Sequence, residues 1–171
     1  MVFPPTNWNS LGIIVKLNLG VIVVPEPNEN GKDIDSWQLG VELETRYGLF
    51  SNFYKLHQKD INTDIENALN LATKALIEGK TPERAMAYFS SAGDAITHKL
   101  HNFISLREIE NMGIPGVPTQ AALEGLTLRT KTGKVIKRVR KGMKYKQVIG
   151  ERRPSFMYSG VFESSLKAWI E

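Results

Sequence analysis

The sequence predicts an α+β domain in which two packed helices lie against a small antiparallel sheet, flanked by an extended N-terminal arm and a basic β-hairpin. Three observations carry that prediction. Residues 11–24 form a β-branched, partly alternating run, residues 60–78 and 81–104 place apolar side chains every three to four positions, and residues 126–150 alternate weakly between turn signals. At 171 residues and 42 % apolar content, one domain with a core of ordinary size is expected.

Residues 1–10 hold two prolines, two asparagines and Trp8 without a period, so they read as an irregular arm. From Leu11 to Val24 the Ile and Val content favours strand, Gly20 marks a bulge, and Pro25 and Pro27 stop the run. Asn30-Gly31 suits a turn, and Trp37 to Tyr47 alternates through Leu39, Val41, Leu43 and Thr45. The expectation is therefore an antiparallel strand pair over residues 11–47.

Between Asp60 and Glu78 the residues Ile61, Ile65, Leu69, Ala72 and Leu76 recur at helical spacing, with Asp60 as a cap and Gly79 just past the end. Thr81-Pro82-Glu83 opens a second helix carrying Met86, Phe89, Ile96, Leu100, Phe103 and Ile104. A short Gly-Lys turn makes this helical pair, residues 60–104, pack closely. The following Gly113-Ile114-Pro115-Gly116-Val117-Pro118 is a loop whose backbone must be held from outside.

No run of about 18 uninterrupted apolar residues occurs, and Met1 to Pro5 lacks the basic and apolar regions of a secretory signal, so a soluble product, intracellular at synthesis, is expected. Zero cysteines removes disulfides, thiolate catalysis and Cys-type zinc sites together. Glu42 and Glu44 share one strand face, and Asp94, His98 and His101 share one helix face. Neither set gathers a further ligand or nucleophile, so they read as a solvated strand face and an ordinary i,i+4 pair with a neighbour. His57 stands alone. No catalytic, metal or cofactor site is expected, and no phosphate-loop or dinucleotide fingerprint accompanies the glycines.

Charge is unevenly spread. From Arg129 to Arg153 eleven bases face one acid, Glu151, a segment of +10 in a chain whose total is +4, which leaves −6 for the rest. The densest part, Lys134, Lys137, Arg138, Arg140, Lys141 and Lys144, predicts either contact with an acidic surface of a neighbouring copy or contact with nucleic-acid phosphates. Both readings stay open.

The last stretch is a docking corner. Pro154 fixes an extended approach, Phe156 and Met157 anchor, Ser159-Gly160 turns the chain, and Phe162, Ser165 and Leu166 follow. The pattern Pro-x-apolar-apolar-x-Ser-Gly-x-apolar-x-x-Ser-apolar resembles, apart from one extra residue after the proline, the C-terminal signature Pro-Leu-Ile-Asp-Thr-Gly-x-Leu-x-x-Ser-Ile of a family of neck or tail-completion proteins of tailed bacteriophages. Phe156, Met157, Ser159, Gly160, Phe162, Ser165 and Leu166 occupy the matching positions, Pro154 matches with one extra residue, Ser155, after it, and Tyr158 replaces the usual acid. From about residue 60 onward the order of helix, Pro-containing loop, Thr-Leu-Arg-Thr-Lys stretch and corner is similar to the family's layout.

The resemblance implies a non-enzymatic virion protein that forms a homo-oligomeric, six-fold ring at the head–tail junction. It would join tail to connector, touch the tail terminator or the sheath and tube proteins, and surround the DNA channel. In the family the corner opens a short helix and a last strand, for which Glu171 leaves little room here. The N-terminal β pair and the basic insertion lie outside the family pattern. The alternative is a stand-alone nucleic-acid-binding protein using the basic hairpin with Tyr145 as a stacking residue.

Overall fold

Helix dominates the chain, and one long antiparallel helix pair carries nearly everything else. A computed structural model describes residues 6–8, 13–23, 36–123, 125, 151–157 and 161–171. In chain order these form β1 (Thr6–Trp8), β2 (Ile13–Val15), β3 (Leu17–Val21), α1 (Ser36–Tyr47), α2 (Leu49–Ile77), α3 (Pro82–Ser105), a 3-10 helix (Glu108–Met112), α4 (Gln120–Leu123), α5 (Val161–Ser165) and β4 (Leu166–Ile170). The α+β expectation stands. No described helix is long and apolar enough to cross a membrane.

The α2–α3 turn is written into the sequence chemistry. Gly79 adopts φ 76° just past α2, its N–H donates to Leu76 O at 3.0 Å, and the Lys80 N–H donates to Ala75 O at 2.9 Å, a Schellman closure. Thr81 is extended at φ −69°, ψ 152° and Pro82 opens α3. The backbone N–H of Glu83 and then the Thr81 side chain hold the Glu83 carboxyl below its ordinary value.

Several expectations for the N-terminal half are corrected. Residues 36–47 are helix, not strand: the stripe that counts is Ser36, Gly40 and Leu43, buried at i, i+4 and i+7, while Val41 of the alternating series is exposed. Asp60 caps nothing, because α2 starts at Leu49, where Gly48 at φ 62° breaks the path from α1. The Glu44 carboxylate supplies the cap, accepting from the Phe50 N–H at 2.7 Å and the Ser51 N–H at 3.3 Å. Within the arm, Thr6–Trp8 is a short strand paired antiparallel with β2.

β3 therefore finds its partner at the far end of the chain. It pairs antiparallel with β4, Leu17 opposite Ile170 and Val21 opposite Leu166, and Gly20 keeps register opposite Lys167 with no bulge. The Trp169 ring covers the space a side chain at Gly20 would take, 3.1 Å from an added Cβ. Leu17, Leu19, Leu166 and Ala168 bury one face of this ribbon in the core with Phe53, Ile61, Ile65, Ile96, Leu100 and Phe103. The Ser36 hydroxyl donates to Ile22 O at 2.9 Å and fastens α1 to the end of β3.

Candidate functional site

The C-terminal corner is built on the edge of α3. Gly93 has no side chain, and a Cβ there would lie 3.1 Å from Ala168 O, so the helix backbone lies directly against β4. The outward polar groups of β4 are then met by α3: Thr97 Oγ1 accepts from the Ala168 N–H at 2.9 Å, and His101 Nε2 lies 3.2 Å from Leu166 O. A carbonyl only accepts, so His101 carries its hydrogen on Nε2. One exposed strand edge is thereby closed.

This disposes of the Asp94, His98 and His101 face. His101 serves the strand, Asp94 Oδ1 lies 4.0 Å from Lys167 Nζ, and the His98 ring stands 6.5 Å from that of His101. Glu42 and Glu44 also part company: Glu42 pairs with Arg46 at 2.8 Å and Glu44 caps α2, because helical positions two apart diverge. His57, apparently alone in the sequence, is sandwiched against Phe53 and Phe103 and contacts Glu108 at 2.8 Å. Among the described residues no group of three His, Asp or Glu side chains gathers as a metal site would need.

Of the corner residues, Phe162 and Leu166 are buried in the core, and the Phe156 ring packs 5.1 Å from that of Tyr47. Phe156 has φ 70°, a left-handed conformation that costs a non-glycine residue about 1 kcal/mol or more and persists only because neighbours hold it. Ser159 and Gly160 lie outside the described residues, as do Lys134, Lys137, Arg138, Arg140, Lys141, Lys144 and the whole expected hairpin of residues 126–150.

What holds the approach to the corner is Glu110, a residue sequence reasoning missed. Its carboxylate, 3 % exposed, accepts from the Ser155 N–H and hydroxyl, both at 2.8 Å, and from Arg152 Nη2 at 2.7 Å. Ser155, fully buried, accepts in turn from the Thr119 N–H at 3.2 Å, so the Pro-rich loop is held from outside as expected. Burial alone would raise the Glu110 pKa; the Ser155 hydroxyl, Arg152, the Ser155 N–H and the Arg152 charge together outweigh it and hold the carboxyl below its ordinary value. Glu110 is therefore ionised, saturated and closed off from solvent, a clip rather than a reacting group. Nothing in Ile-Glu-Asn-Met distinguishes it from a surface acid.

The clip also closes the base of the basic segment. Arg153 N–H donates to Ala122 O at 3.1 Å, and Arg107 Nη2 donates to Arg152 O at 3.0 Å, so the chain leaving α4 and the chain returning at residue 151 are joined. Compared with models of protein families, with characterised proteins and with solved structures, the chain matches none.

Proposed function

We propose that this protein is a structural component of the neck of a tailed bacteriophage, a ring at the head–tail junction that joins tail to connector around the DNA channel and has no catalytic role. The observation that carries the reading is the order of elements after the corner. Phe162 and Leu166 dock in the core, and α5 and β4 come immediately after Gly160, the short helix and last strand that the resemblance implies. The little room expected before Glu171 holds a strand, since the five residues Leu166 to Ile170 pair with β3. Glu44 and Glu110, one engaged in a helix cap and the other in a buried clip, also suit a scaffold better than an enzyme.

In this reading its partners are further copies of itself, the connector, and the tail terminator or sheath and tube proteins, in the host cytoplasm during assembly and then in the virion. Deleting the gene from the encoding phage is expected to leave filled heads and free tails unjoined. Joined, infectious particles from the deletion would refute the assignment. The stand-alone nucleic-acid-binding alternative rests on nine bases and no acid between residues 126 and 150. It predicts affinity of the isolated protein for DNA that falls about a thousandfold or more between low and moderate salt.

A further inference from the structure

Two exposed apolar features lie at opposite ends of α2. At the α2–α3 turn Ile77 is 83 % exposed, with Leu76 and Met86 each about half exposed beside it. This is not a frayed end, since a Schellman closure ends α2 and Ala75 and Ala85 are buried beside it. At the other end a groove of about 270 Å³ opens between α1 and β3, lined by Gly20, Val21, Trp37, Gly40, Val41 and Phe50. At Gly40 the α1 backbone lies directly on β3, since a Cβ there would come within 2.5 Å of Val21 Cγ2.

We propose that the turn of one copy seats in the groove of the next, Leu76 and Ile77 entering between α1 and β3. The proposal deepens the ring reading by naming the surfaces that meet. The groove lies just below the range of about 300–1,000 Å³ usual for small-molecule sites and has few polar groups, so aliphatic side chains suit it better than a cofactor. Charge favours the same occupant. Lys74, Lys80 and Arg84 against Glu78 and Glu83 leave the turn one charge positive, whereas Glu42 and Glu44 against Arg46 leave α1 one charge negative. Glu44 lines the groove itself.

Geometry then dictates the kind of assembly. Phe50 and Ile77 are 27 residues apart on one helix, about 40 Å at 1.5 Å per residue. Knob and groove on one chain therefore cannot meet, and unless two copies lie antiparallel and fill both grooves at once, the contact between copies is heterologous. Such contacts propagate until they close into a ring or continue as a filament.

The absence of cysteine in the sequence makes the test direct. Val41→Cys and Ile77→Cys are introduced separately into the full chain, both at exposed positions, and the purified variants are mixed, oxidised and resolved without reductant. The expected result is a Val41-to-Ile77 heterodimer severalfold in excess of either homodimer, with a ladder of multimers from the double variant. Heterodimer at no more than the random proportion, or no cross-linking, would overturn the contact. Circular dichroism of each variant establishes folding, and Ile77→Asp is expected to abolish concentration-dependent sedimentation of the otherwise native chain. Loss of head–tail joining on gene deletion without the cross-link would leave the neck assignment standing and this contact refuted; a ladder from a protein dispensable for joining would do the reverse.

Discussion

The two ends of the α2–α3 pair are made of the same helices and built on opposite plans. At the sheet end Phe53, Ile61, Ile96, Leu100 and Phe103 are fully buried, with the Phe53 and Phe103 rings edge to face at 5.6 Å. At the turn end the buried positions are Ala68, Ala72, Ala75, Ala85 and Ala92, while Leu71, Leu76, Ile77 and Met86 lie on the outside. Apolar burial contributes about 25 cal/mol per Å², so alanines hold the turn end only weakly, and it is kept helical largely by continuity with the sheet end. One end supplies stability and the other supplies surface.

The largest expected effect tests that division directly. Phe103→Ala should cost about 3–5 kcal/mol, and Phe162→Ala, whose ring joins the same core, about 3 kcal/mol or more, whereas Ile77→Ala should stay within about 0.5 kcal/mol. Denaturant midpoints at constant slope would measure all three. Comparable losses at Phe103 and Ile77 would erase the distinction between the ends.

Next in size is Glu110, which ties the Pro-rich loop and the chain at Arg152 and Ser155 to the sheet end. Its folded pKa lies below the ordinary carboxyl value, so its contribution is fully present above that ordinary value, near 4.5, and is lost as pH falls through the depressed folded value. Glu110→Gln should cost about 1–3 kcal/mol at neutral pH, by setting an amide against donors, and should flatten the acid limb of the stability curve. An unchanged limb on acidification below the ordinary carboxyl value would show that other carboxylates govern acid unfolding.

How much of this was legible depends on the same division. Signals confined to a few residues in a row survived: Gly79 and Thr81-Pro82 mark the turn, and the apolar spacing of Ile61, Ile65, Ile96, Leu100 and Phe103 marks the packed face. Periodicity misled where two periods overlap, since Leu39, Val41, Leu43 and Thr45 alternate while Ser36, Gly40 and Leu43 repeat helically, and tertiary contact with Val21 favours the second. At the turn end Leu76 and Met86 read as core, because spacing reports which face a residue occupies but not whether anything covers it. Pairing across the whole chain was invisible: nothing local links β3 to β4, Thr97 to Ala168, or Glu110 to Ser155.

The smallest expected effect sits on the boundary between the ends, where Lys99 Nζ of α3 meets Asp64 Oδ2 of α2 at 2.6 Å. Both side chains are roughly a quarter to a third exposed, so solvent and salt screen the pair, and holding Lys99 in place costs side-chain entropy. A double-mutant cycle with Asp64→Asn and Lys99→Met should return a coupling of about 0.2–1 kcal/mol, shrinking as ionic strength rises. A coupling of several kcal/mol, insensitive to salt, would mean that the helices are locked at their midpoint by a polar bolt. The turn end would then hold its shape independently of the buried aromatics, and Phe103→Ala would loosen the sheet end while leaving the turn protected from hydrogen exchange. With weak coupling the opposite holds: loss of the aromatic core releases both ends together, because nothing on the alanine side is strong enough to keep the helices paired alone.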